Sequence, residues 1–149
     1  RAAREGRSKA EVVALTNGII DRMQFLFTVG TLRYLYKGGR IGGAQALLGS
    51  LLQVKPVLCI TGGTVEPCER VRTRPRAIER LVEIMRSRVA PDQPIRVGVM
   101  QGEAMKEAEH LMESISRSFR CEEIYLSEIG PVVGVHTGPG TVGMAWYTC

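Results

Sequence analysis

Two stretches of this sequence set a chemically capable side chain among glycines. In "KGGRIGG" it is Arg40; in "VGVHTGPGTVG" it is His136, followed by Thr137 and flanked by Gly134, Gly138 and Gly140. An arginine brings a permanent cation and a planar fork of donors that pairs bidentately with carboxylate or phosphate. An imidazole, with an ordinary pKa of about 6.5, exchanges a proton or donates a hydrogen bond near neutral pH. Neighbouring glycines let backbone come close to a ligand. Each stretch also has a plain reading. An arginine between glycines serves as the cation at a helix end, and a histidine among Gly and Pro sits equally well in a surface turn. "KGGRIGG" is neither a Walker sequence nor a GxGxxG following a strand. The other histidine, His110, lies mid-helix between Glu109 and Leu111 without any such setting.

Composition narrows what can surround these groups. The chain has 149 residues, 44% hydrophobic and 23% charged, which suits one folded domain, residues 1–149, with a substantial core. No apolar run reaches the roughly 18 residues of a membrane span, and nothing resembles a signal peptide. The chain opens "RAAREGRSKAE" without an initiator Met, the pattern expected of a piece of a longer polypeptide. Cys59, Cys68, Cys121 and Cys149 are scattered, without CxxC or Cys–His spacing. No zinc or other metal site is expected, and the cysteines read as reduced thiols of a cytoplasmic protein.

The net charge of +5 raises a nucleic-acid reading, whose densest source is "ERVRTRPR". There Arg70, Arg72, Arg74 and Arg76 alternate, which would align them on one face of a strand. Aromatics are only 5% of the chain and none interleave with these arginines to stack bases, so a solvated basic face is the preferred reading.

The elements that must position the two stretches follow from periodicity. "SKAEVVALTNGIIDRM" has Ser8 and Glu11 at capping-box spacing and Val12, Leu15, Ile19 and Met23 at helical intervals. "QFLFTV" reads as a strand, and "TLRYLYKGG" as a short helix ended by Gly38 or Gly39 in the left-handed conformation. "AQALLGSLLQ" is apolar nearly all round, hence a buried helix or one facing something greasy. "KPVLCI", "TGGT" and "VEPCERV" give strand, turn and strand. Thr73 caps a helix with Pro75 in its first turn and Ile78, Leu81, Val82 and Met85 as its inner stripe. "IRVGVM" is a strand, followed by a helix buried through Ala108, Leu111, Met112, Ile115 and Phe119. "EEIYLSEI" and "TVGMAWYT" are strands on either side of the histidine loop. The predicted class is α/β, a mixed sheet with helices packed mainly on one face.

Three segments in this order, "LRYLYKGGRIGGAQALLGSLLQVKPVL", "KPVLCITGGTVEPCERVRTRPRAIERL" and "EIGPVVGVHTGPGTVGMAW", resemble the C-terminal domain of the DegV family, over about Leu32 to Trp146. The pairing of KGGRI with HTGPG is specific to that resemblance. It implies a preceding N-terminal α/β domain, with residues 1–22 as the connecting helix. It implies a fatty-acid carrier rather than an enzyme, with no catalytic residue of its own and no cofactor besides the fatty acid it holds. In such a carrier a separate ATP-dependent fatty-acid kinase phosphorylates the presented carboxylate. Stable membrane insertion and nucleic acid are not implied. By the same resemblance Arg40 and His136 lie near the carboxylate, while the hydroxyls that grip it belong to the N-terminal domain. Ile41, Leu47 and Leu48, around the apolar helix, are candidates to line the acyl chain. A burial value of roughly 0.8 kcal/mol per methylene makes a dry aliphatic wall sufficient.

Two other function classes remain open on the residues alone. His136 as general base or phosphoryl acceptor would make this a phosphotransfer or hydrolytic enzyme. No Asp or Glu stands near it in sequence to orient the ring. The arginine-rich stretch would make it a nucleic-acid-binding module.

Overall fold

The computed structural model describes residues 1–50 and 54–149. Its elements run α1 (Lys9–Ile20), β1 (Gln24–Thr28), α2 (Arg33–Lys37), a 3-10 helix (Gly42–Ser50), β2 (Lys55–Thr61), β3 (Thr64–Val71), α3 (Arg74–Arg88), β4 (Ile95–Gly102), α4 (Met105–Ser118), β5 (Cys121–Glu128), α5 (Pro131–Thr137) and β6 (Thr141–Thr148). The strands form one mixed sheet in the order β3-β2-β1-β6-β4-β5. Only β4 and β5 pair in parallel, and α4 is the crossover between them; the other pairings are antiparallel.

Alternation along the strands divides the core in two. Leu26, Val57, Val97, Val99, Met144 and Trp146 point to one face and are buried beneath α3 and α4. The expected stripes of those helices are there: Ile78, Leu81, Val82 and Met85 on α3, and Ala108, Leu111 and Ile115 on α4. The other face carries Phe27 and Leu58, packed with Leu35 of α2 and with Ile41, Ala44 and Leu47. The helical cover on this second face comes from short elements and is incomplete. Phe25, Gly98, Met100 and Ala145 are only half-buried, and Tyr125 is exposed. The predicted layering, helices mainly on one face, is the observed one.

Four local expectations need correction. The apolar stretch after Gly43 is not an α-helix with a uniform surface. It is a 3-10 helix in which Ala44 and Leu47, continuing a three-residue spacing from Ile41 just before it, are buried while Gln45 and Ala46 are exposed, as a three-residue repeat requires. The end of that prediction, 51–53, lies outside the described residues. Helix α1 has its capping box, with Ser8 Oγ accepting from Glu11 N–H at 3.3 Å, yet none of its residues is buried and Leu15 is 47% exposed. The basic stripe does not form either. Arg70 lies at the end of the ladder in β3, just before Val71, whereas Arg74 and Arg76 belong to α3 and are ion-paired, to Glu107 and to Glu79 and Glu83. Half of the proposed phosphate-facing row is thus neutralised by carboxylates. The histidine "loop" is the fourth case, because residues 131–137 are helical.

Candidate functional site

Helix α2 ends in a sequence-specified way. Gly39 takes φ +65°, Arg40 N–H donates to Leu35 C=O at 2.8 Å and Gly38 N–H to Tyr34 C=O at 2.9 Å. That six-to-one closure around a left-handed glycine turns the chain sharply at Arg40. Of the two glycines the sequence offered for this role, the structure uses Gly39; Gly38 stays right-handed at φ −80°.

Gly38 has a different task. Helix α5 lies beside α2, and a Cβ at Gly38 would stand under 3.0 Å from His136 Nδ1. Reciprocally, Gly138, at φ +74°, faces α2, and a Cβ there would overlap the Tyr34 ring. Each helix therefore presents a glycine to the other's ring, and His136 is pinned in the last turn of α5. Pro131 starts that helix after Gly130, and the buried Thr141 hydroxyl closes it, donating to Thr137 C=O at 3.1 Å and Gly138 C=O at 2.8 Å. Because His136 Nδ1 is buried against Gly38 and has no hydrogen-bond partner among the described residues, Nε2 is the ring nitrogen left to meet a ligand.

Arg40 and His136 border one cavity of about 360 Å³ between α5 and the incompletely covered sheet face. Its floor is Phe25, Phe27, Gly143 and Met100, and Val132 and Val133 of α5 face them across it. Phe25 and Phe27 meet edge to face, with ring centroids 5.6 Å apart. The polar lining beyond Arg40 and His136 is Thr137 and Thr141, whose hydroxyls are already donated to backbone carbonyls. No carboxylate lines it, and Arg40 has no ion pair among the described residues. The result is a greasy cavity with one permanent cation and one imidazole, a combination that favours an amphiphilic anion.

Of the sequence candidates, then, Arg40 and His136 come together, 96 positions apart in the chain. Ile41, Leu47 and Leu48 do not line the cavity. Ile41 and Leu47 are core residues, 6% and 0% exposed, in the layer that includes Phe27 and Leu58, and Leu48 packs against that layer. Of the floor, the sequence marks only the small-residue side Gly143–Ala145 of the last strand, which suits a closely packed helix or equally a lipid chain; Phe25, Phe27 and Met100 were passed over, although Phe25 and Phe27 alternate on the neighbouring strand. Arg74, which the sequence places in a solvated basic face, instead joins Glu107, Thr28 Oγ1 and Gly140 C=O, tying α3 to β1, α4 and the turn that follows α5. Arg74 lines a second, wide crevice of about 800 Å³ at the far ends of β4 and β5, with Lys55, Lys106, Glu103 and Glu128.

Among the described residues no group of three His, Cys, Asp or Glu is placed to hold a metal ion. Burial pushes the Cys68 and Cys121 thiols above the ordinary thiol range, away from the thiolate a nucleophile requires. His110 is an exposed residue of α4. Among the described residues no helix is long and apolar enough to cross a membrane.

Residues 1–148 match the family model described as uncharacterised protein, DegV family. The chain belongs to the DegV family. A DegV domain-containing protein of Clostridium acetobutylicum is 38% identical over 148 residues, 99% of this chain and 52% of the relative. Among solved structures, a DegV family protein from Thermus thermophilus, described by its fatty-acid binding, superposes with a TM-score of 0.92 at 34% identity, covering 99% of this chain and 53% of its own. DegV of Bacillus subtilis, described as a fatty acid binding protein, gives 0.82 at 31% identity, with 99% and 53% covered. The chain thus spans about half the length of the curated relatives it matches. The DegV fold in these structures is the mixed sheet described above.

Proposed function

We propose that this chain is the acyl-holding part of a fatty-acid carrier and that it presents the bound carboxylate to a separate ATP-dependent kinase. One observation carries the reading: a single apolar cavity is bordered by both Arg40 and His136. The aromatic and aliphatic walls hold the acyl chain, since each buried methylene contributes roughly 0.8 kcal/mol without needing a polar anchor. Arg40 pairs with the carboxylate, and His136 Nε2 meets one of its oxygens. The kinase then transfers the terminal phosphoryl group of ATP to that oxygen, giving an acyl phosphate and ADP. In the transfer, negative charge spreads over the phosphoryl oxygens and the carboxylate, where a fixed cation and a fixed donor stabilise it. The half of its relatives' length that this chain does not span supplies, on this reading, the hydroxyls that complete the grip. The fatty-acid-binding descriptions of the Thermus and Bacillus proteins support the ligand class.

Mass spectrometry of lipid extracted from the purified protein at the full length of its relatives is expected to recover close to one fatty acid per molecule. Recovery of none would remove the reading. In a reconstituted transfer assay, Arg40→Gln and His136→Ala are each expected to lower phosphorylation of the bound acid about 100-fold, the size seen when one donor to a developing oxyanion is lost. Bound lipid should stay near the wild-type level. Undiminished transfer in both variants would clear them of that role. The enzyme reading is disfavoured because His136 Nδ1 has no carboxylate partner to orient it and none lines the cavity.

A further inference from the structure

Gly98 lies in the middle of β4, paired to Ala145 of β6 on one side and Tyr125 of β5 on the other. Val97 and Val99 point into the core under α3 and α4, so Gly98 stands with Arg96 and Met100 on the incompletely covered face. A glycine inside a strand weakens it, having no side chain to pack and the most backbone freedom to lose. Such a glycine usually has a local reason. Gly143 has one, because a Cβ there would come within 2.8 Å of Phe27 Cβ and 3.1 Å of Leu26 C=O. Gly98 has none: its φ is not in the left-handed region, and a Cβ would meet nothing within 4 Å. Among the described residues, nothing occupies the room above it.

The sheet register says what adjoins that room. Successive rows of side chains on this face lie two residues apart, about 6.6–6.8 Å along a strand. Phe27, Gly143 and Met100 make one row, and all three are cavity floor. The next row is Phe25, Ala145 and Gly98. Phe25 is itself part of the cavity, and Ala145 and Gly98 lie beside it in the same row, carrying no polar side chain. The row after that is polar. Arg96 Nη1 donates to Tyr147 Oη at 3.4 Å and Nη2 to Glu122 at 3.1 Å, and Arg96 faces Glu123 at 3.8 Å.

We propose that the Gly98–Ala145 pair is the far floor of the acyl site and that the Arg96–Tyr147–Glu123 row is its end stop, so that these positions set the acyl length accepted. The proposal rests on the cavity being an acyl site. A methyl or methylene terminus lies on the small-residue row at no polar cost. Extension by one further row would push it against a charged, hydrogen-bonded cluster, which hydrocarbon cannot solvate. A segment of polypeptide over Gly98 is the competing occupant. Continuity of the floor with the apolar cavity favours the acyl chain, and the experiment separates the two.

The test uses the whole expressed protein and the fatty acids that co-purify with it, resolved by length. Gly98→Leu is expected to shift the bound population by two or more carbons toward shorter chains and to weaken binding of the longest wild-type ligand at least tenfold. A short-chain acid should bind as before. Gly98→Ala, whose Cβ has free space, should fold as wild type and give a smaller shift in the same direction, and Ala145→Leu should repeat the effect from β6. An unchanged length distribution in Gly98→Leu and Ala145→Leu overturns the proposal. Equal loss of all chain lengths also overturns it, because polypeptide then lies over the row. A wild-type protein that yields no fatty acid overturns the underlying acyl-site reading instead, a result visible before any variant is made.

Discussion

Gly138→Ala is expected to destabilise the protein by about 3–5 kcal/mol, far more than an exposed glycine substitution in a helix. Two independent costs fall on that one methyl. The backbone at Gly138, φ +74° and ψ 176°, lies in a region essentially restricted to glycine, where other residues carry strain of about 1–3 kcal/mol. The added Cβ would also overlap the Tyr34 ring, and overpacking typically adds about 1–3 kcal/mol. The overlap reaches Cγ at the base of the Tyr34 ring rather than only its far edge, so the whole ring has to move to relieve it. For a chain of this size each kcal/mol lowers the melting temperature by about 2–4 °C, so a fall of roughly 10 °C is expected in thermal denaturation. Gly134→Ala is the matched control. It lies in the same helix, but a Cβ there meets nothing within 4 Å, and alanine is the better helix former. A melting point for Gly138→Ala within about 2 °C of that control would show that the two helices are not locked through these glycines.

The same glycines explain what could be read from the sequence and what could not. The sheet and the two long helices were legible because burial imposes a period. Ile78, Leu81, Val82 and Met85 of α3 recur at helical spacing, and Val97 and Val99 alternate with Gly98 and Met100 on β4. Helix α5 was not legible. "PVVGVHT" has three valines, a glycine and a C-terminal threonine, all modest or poor helix formers, and no long apolar stripe. It is helical because packing against α2 and the Thr141 hydroxyl close its short turns, contacts formed with residues distant in the chain or past its end. The 3-10 segment was misread for the converse reason. Its composition looks apolar throughout, while the three-residue repeat of Ile41, Ala44 and Leu47 selects one face for burial.

The candidate site divides along the same line. Arg40 and His136 could be singled out because charge and imidazole among glycines are conspicuous, and the family resemblance gave them a common target. The cavity walls could not, because they arise from register. Phe25, Phe27, Gly143 and Met100 become one surface only when β1, β6 and β4 are laid side by side. Residues 41, 47 and 48 were attractive as lining because they are apolar and near Arg40 in sequence, yet near neighbours in a chain that has just turned at Gly39 end up behind the cavity's wall rather than in it.

Arg74→Met is expected to cost about 2–3 kcal/mol and to loosen the turn between α5 and β6. The side chain is only 18% exposed and bridges four elements: Nη2 donates to Glu107 at 2.7 Å and to Gly140 C=O at 2.6 Å, and Nη1 to Thr28 Oγ1 at 3.3 Å. Removing one member of a fully buried ion pair costs about 3–5 kcal/mol, because its partner is left charged and unsolvated. Glu107 is 39% exposed and can recover water, which reduces that figure. Thr28 is fully buried and cannot, so its hydroxyl is left without this donor. Methionine keeps much of the apolar stem, so the measured loss reports the guanidinium rather than a cavity. The effect should be local as well as global. Gly140 N–H, bonded to Gly102 C=O at 2.7 Å, should lose hydrogen-exchange protection beyond what the drop in overall stability accounts for. Glu107→Gln, which leaves the bonds to Thr28 and Gly140 in place, should cost roughly 1 kcal/mol or less. If Arg74→Met melts within about 2 °C of wild type and Gly140 keeps its protection, the turn is held by its own backbone bonds. Arg74 would then be a surface cation like Arg72, and the positioning of the His136 helix would rest on Gly38, Gly138 and Thr141 alone.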